Sequence, residues 1–115
     1  AIQLRTWIAQ HRGEGPAILV GDLNAKLEDA PLQALLSAPL ADAPPLHDAR
    51  AVEGIQDAGP DSTWNGFQAI TPGQRIDHVL YSGAVQVLGY ETLDPRTADD
   101  RFASDHLPIQ VRVNW

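Results

Sequence analysis

The run Ala17-Ile18-Leu19-Val20, shut between Pro16 and Gly21, constrains this chain more than any other stretch. It has the length of a strand, and a strand apolar at every position offers no face to water. It predicts a strand buried on both faces, with packing layers on either side. Gly21 permits a sharp exit, and Asp22 and Asn24 follow at the C-terminal end of the strand, a common place for a site in layered α/β proteins. The same Gly21-Asp22-Leu23-Asn24 can equally be an Asx turn with a helix cap.

Around this strand the periodicities alternate. In residues 1–11, Leu4, Trp7 and Ile8 recur at helical spacing with Arg5, Gln10 and His11 on other faces, and residues 13–16 break the run. Residues 28–37 predict a second helix, with Glu28 and Asp29 near its N-terminal dipole, Pro31 in the first turn and Leu32, Leu35 and Leu36 as the buried stripe; residues 38–45 end it. Periodicity fades over residues 46–60 apart from a short helix or turn near 48–52. Residues 75–82 and 85–90 are β-rich runs joined through Ser82-Gly83, as a hairpin or other tight connection. Residues 93–105 form a polar, acidic surface loop, and residues 108–113 a last strand with Ile109, Val111 and Val113 on one face. The order helix, strand, helix, loop and three strands predicts an α/β layered sandwich in one domain, without internal repeats.

Charge narrows the partners. Eight Lys plus Arg stand against fifteen Asp plus Glu, a net charge of -7, and the seven arginines are scattered singly. A protein that grips long nucleic acid through its phosphates shows the opposite balance and a basic stripe. No apolar run is long enough to cross a bilayer. Cysteine is absent, which removes disulfides and thiolate metal sites and leaves either redox compartment open.

Two further motifs carry ionisable groups. In Arg75-Ile76-Asp77-His78 a carboxylate enters an apolar strand, where it needs a partner because burying it alone costs several kcal/mol. Arg75 or a remote histidine could serve, a structural ion pair is the plain alternative, and His78 reads as a packed or surface histidine. In Ser104-Asp105-His106-Leu107-Pro108 a carboxylate and an imidazole stand side by side before the last strand and point in different directions, so one can reach a metal and the other a substrate. A turn before a proline-led edge strand explains that tripeptide as well.

Taken in order, GDLN at 21–24, STWNGF at 62–67, RIDHVLYS at 75–82 and SDHLPI at 104–109 resemble the signature series of the endonuclease/exonuclease/phosphatase family, the deoxyribonuclease I-like fold. The resemblance covers nearly the whole chain and corresponds to the C-terminal half of that domain. It implies part of a four-layer α/β sandwich, two mostly antiparallel sheets face to face with helices outside. It also implies a divalent-metal-dependent phosphoester hydrolase, with Asp22 as base for the attacking water, Asn24 steadying a phosphoryl oxygen, and Asp77 holding the histidine His106, which contacts the scissile phosphate. Asp105 becomes the metal ligand, a hard oxygen donor suited to Mg2+ or Mn2+. In the STWNGF loop a hydroxyl or amide could touch substrate, or the loop could be a turn with Trp64 and Phe67 in the core.

The family's metal-binding glutamate, an early asparagine and a further histidine lie in an N-terminal half that this sequence does not contain. Glu14, Glu28, Glu53 and Glu91 stand in the wrong contexts to replace the glutamate. The resemblance thus implies a fragment that binds metal poorly alone, with an apolar sheet face to be covered by the other half or by a second copy. The acidic charge favours a small phosphoester or lipid headgroup over DNA or RNA. A nuclease and a non-catalytic half-domain that acts in assembly or partner binding are the alternatives, in a bacterial cytoplasmic or secreted setting.

Overall fold

In a computed structural model, residues 1–37 and 42–115 are described. The elements are α1 (Ile2–His11), β1 (Ala17–Asp22), α2 (Ala30–Leu36), β2 (His47–Asp48), a 3-10 turn (Ala49–Ala51), β3 (Gln56–Ala58), β4 (Asp77–Ser82), β5 (Gln86–Thr92) and β6 (Ile109–Asn114). The first sheet has the order β1-β4-β2 and is antiparallel throughout; the second has the order β3-β5-β6, with β3 parallel to β5 and β5 antiparallel to β6. This is the mixed α/β sandwich expected. Among the described residues no helix is long and apolar enough to cross a membrane. The predicted end of the second helix, 38–45, lies partly outside the described residues.

Register sorts the side chains of the first sheet. Leu19 pairs with Leu80, while Ile18 pairs with Tyr81 and Val20 with Val79, so the two sets stand on opposite faces. Leu19 and Leu80 meet Leu32 and Leu35 of α2, Ile8 of α1 and Leu46, the helix-side core. Full burial of Leu32 and Leu80 contributes about 1.5–3 kcal/mol each. On the other face, Val79 and Tyr81 pack with Val87, Tyr90, Ile109, Val111 and Val113 of the second sheet, the core between sheets.

Four readings from sequence change here. First, β1 is not buried on both faces: Ile18 is 43% and Val20 64% exposed. The second sheet covers β4 and stops short of β1, the edge strand of its sheet. Second, Arg5 is the buried residue of α1 at 2% exposure, while Leu4 and Trp7 are exposed. Its guanidinium donates to the carbonyls of Pro44, Ala34 and Ala43 at 3.0, 3.1 and 2.6 Å. Third, of the two connections open at Ser82-Gly83, the structure has the tight connection and not the hairpin: the chain turns after Ser82 and crosses from the first sheet to the second. Fourth, α2 begins at Ala30 with Asp29 as its N-cap residue, so Glu28 lies outside the helix.

Candidate active site

Three segments deliver their ends to one rim of the sandwich. Asp22 is the last residue of β1, Asp77 is the first of β4, and the two are directly opposed in register, so their side chains leave the same face. His106 stands three residues before β6. Gly21, at φ 149°, has a backbone that side-chain-bearing residues rarely adopt, and no neighbour crowds it, so conformation and not space calls for glycine there.

The imidazole of His106 lies between two carboxylates. Nδ1 is 2.7 Å from Asp77 Oδ2 and Nε2 is 3.9 Å from Asp22 Oδ2. The Asp77 bond requires the proton on Nδ1, which leaves Nε2 facing Asp22 across a gap too wide for a direct hydrogen bond. The hydrogen bond to Asp77 raises the His106 pKa against the opposing effect of burial, and the charges of Asp77, Asp22 and Asp105 add to the rise. Of the two partners considered for Asp77, the remote histidine is the one used. Arg75 instead donates to the Tyr90 hydroxyl at 2.7 Å, and burial pushes that phenol up to about 12.

The pair makes stability pH-dependent. A histidine whose folded pKa is raised above its unfolded value of about 6.5 stabilises the fold fully below that value, and the contribution is lost as pH rises through the folded pKa. The stability gap between the parent and Asp77→Asn should therefore be wider at pH 5.5 than at pH 8.5 in urea unfolding of metal-free protein; an equal gap at both would remove the coupling.

The other expected site residues lie close by. The Asn24 backbone, at φ 47°, donates to Asp22 Oδ1 at 2.8 Å, so the motif is an Asx turn and a rim element at once. The Asn24 side chain is exposed. Asp105 contributes its charge to His106 but does not join the Asp22, Asp77 and His106 atoms that lie within 4.8 Å of one another; its carbonyl accepts from the amides of Asn65 and Gly66. His78 is packed, with Nε2 2.8 Å from the Ala25 carbonyl. A cleft of about 620 Å³ runs along this rim between His106, Asp77 and Ser104 and an apolar floor of Val20, Val79 and Ile109. Pro95 and Ala103, from the two ends of the acidic loop, close one side; that loop is tied by Arg96, which pairs with Asp94 at 2.7 Å and lies 3.9 Å over the Phe102 ring.

The STWNGF loop reverses the packing expected of it. Ser62, Thr63 and Asn65 are fully buried, whereas Trp64 and Phe67 are 43% and 63% exposed. The buried polar groups hold the motifs together: Thr63 Oγ1 accepts from the amides of Ile76 and Asp77, and Asn65 Nδ2 donates to the Ser104 carbonyl. The Trp64 indole lies against Gly66, where a Cβ would meet it at 2.8 Å. Composition carries a weak signal for this inversion, since Ser, Thr and Asn in a tight loop serve as local hydrogen-bond partners more readily than aromatics do.

A carboxylate-held imidazole thus faces a second carboxylate at the open rim of a two-sheet α/β sandwich. The chain belongs to the endonuclease/exonuclease/phosphatase family, whose model matches residues 1–106. Among solved structures it is similar to an endonuclease/exonuclease/phosphatase from Bacteroides vulgatus, with 21% identity over 98% of this chain and 41% of that one, TM-score 0.80. It is similar also to the mannosyl-6-phosphatase Bt3783 of Bacteroides thetaiotaomicron, with 26% identity over 99% of this chain and 43% of that one, TM-score 0.75. A further family protein of that species gives 25% identity, 97% and 42% coverage and TM-score 0.71. The chain thus spans less than half the length of these structures. No curated protein matches it.

Proposed function

We propose that this chain is the C-terminal portion of a divalent-metal-dependent phosphoester hydrolase that drives water in line onto phosphorus. The observation that carries the reading is the convergence of Asp22, Asp77 and His106 from three separate segments, the last two lining one cleft. Asp22 takes a proton from the attacking water, and the free Asn24 amide donates to a phosphoryl oxygen. Asp77 holds His106 through Nδ1, so that Nε2 faces the gap beside Asp22 where the scissile phosphate would sit. Hard carboxylate oxygens near the rim, with Asp105 as the ligand, fit Mg2+ or Mn2+, which prefer a few carboxylates completed by water and phosphate. Such an ion, when bound, offsets the charge that develops on the phosphoryl oxygens.

The acidic balance and the similarity to a mannosyl-6-phosphatase support a small phosphoester as substrate in preference to long nucleic acid. The exposed Ile18 and Val20, beside solved structures more than twice as long, support a covering segment contributed by the rest of a larger domain.

The test is hydrolysis of chromogenic phosphomonoester and phosphodiester substrates, with plasmid DNA alongside, by the protein as its gene encodes it. Activity should vanish on chelation and return with Mg2+ or Mn2+. Cleavage of DNA alone would favour the nuclease reading, a chelator-insensitive rate would remove the metal from the mechanism, and no hydrolysis of any substrate would favour a non-catalytic half-domain.

A further inference from the structure

Thr63 lies outside the cleft lining and is fully buried, so it cannot touch a substrate, yet its hydrogen bonds reach Asp77 and the residue that follows His106. Its Oγ1 accepts from the amides of Ile76 and Asp77, each at 3.0 Å. In a regular strand consecutive amides point to opposite sides. Two consecutive amides that converge on one oxygen depart from that alternation at the point where β4 begins, at Asp77. Thr63 therefore fixes the backbone from which the Asp77 side chain leaves the sheet.

The backbone of Thr63 works on the other partner. Its carbonyl accepts from the Leu107 amide at 2.7 Å, next to His106, and its amide donates to the Gln74 carbonyl at 3.1 Å. The neighbouring Trp64 and His106 form an antiparallel bridge, which continues the same tie by one residue. One residue thus spans two chain segments whose site groups are 29 positions apart. The branched Cβ gives Thr63 a stiff χ1, so the hydroxyl stays aimed at these two amides.

We infer that Thr63 is a positioning residue that sets the Asp77–His106 distance, and through it the orientation of the imidazole. The inference rests on the phosphoesterase reading for its kinetic consequence, but its structural consequence can be read without any turnover. The experiment compares Thr63→Val, which keeps the shape and removes the hydroxyl, with Thr63→Ser, which keeps the hydroxyl, in the protein as encoded. The first readout is the far-downfield proton resonance of the His106 Nδ1–H shared with Asp77, assigned by its loss in His106→Ala. The second is kcat and KM on a chromogenic phosphoester with Mg2+.

In Thr63→Val the resonance should move upfield or broaden away, with kcat down about 10- to 100-fold, the range for residues that orient a site group, and KM little changed. Thr63→Ser should restore both. An unmoved resonance and full kcat in a folded Thr63→Val would overturn the inference and leave Thr63 a packing residue. Should the valine variant fail to fold, the serine variant carries the test, because a resonance lost in spite of the retained hydroxyl overturns it equally. If no phosphoester is hydrolysed but the resonance follows the hydroxyl, the catalytic reading fails and the positioning role stands.

Discussion

His106→Ala should lower kcat for phosphoester hydrolysis by about 10²–10⁴-fold, the range for loss of a positioned proton donor or of a donor to developing negative charge. The effect should fall on kcat more than on KM, because a group that serves charge developed in the transition state contributes little to ground-state binding. Asp77→Asn should cost less, about 10- to 100-fold, since the imidazole remains but loses the partner that holds its tautomer. The double variant should be no worse than His106→Ala alone, because Asp77 acts through the histidine. Steady-state kinetics at saturating Mg2+ checks all three. A His106→Ala enzyme with more than a tenth of the parent kcat would remove His106 from the chemistry, and additive losses would give Asp77 a separate role.

The second large effect is on stability. Arg5→Ala should destabilise the fold by about 3–5 kcal/mol, comparable to breaking a buried charge network, as read from urea unfolding. The guanidinium spreads three donors over the carbonyls of Ala34, Ala43 and Pro44, and the first of these belongs to the last turn of α2, where helical carbonyls have no internal partner. A cation there also complements the negative end of the helix. Truncation leaves these carbonyls without a donor and opens a void under α1. Arg5→Lys should recover only part of the loss, because one ammonium on a flexible stem cannot reproduce the planar fork. A loss below about 1 kcal/mol for the alanine variant would mean that water replaces the guanidinium at little cost.

The sequence made some of this legible and left the rest hidden for physical reasons. Leu32 and Leu35 were readable as buried, as were strands 4, 5 and 6 to within about two residues, because one-sided burial imprints its period on the side chains. The resemblance of ordered motifs pointed to Asp22, Asp77 and His106, which the fold brings together, while the role of Asp105 as a ligand remains a proposal. The burial of Arg5 leaves no trace in sequence, because a guanidinium on an amphipathic helix is usually solvated and its partners here are carbonyls some 29 to 39 residues away. Ser82-Gly83 has the chemistry of a reversal, but whether a reversal re-enters the same sheet is decided by distant pairing. β2 and β3, at two and three residues, are too short to show a period.

The direct opposition of Asp22 and Asp77 has a practical meaning. Strand side chains alternate, so a slip of one residue between β1 and β4 would turn a carboxylate into the leucine layer beneath α2 and break the constellation at His106. Under the proposed function, turnover would belong only to molecules zipped in the correct phase. In a refolded or recombined preparation, specific activity would count correctly zipped molecules, and soluble protein that is off by one would stay silent in the assay while weighing the same on the balance.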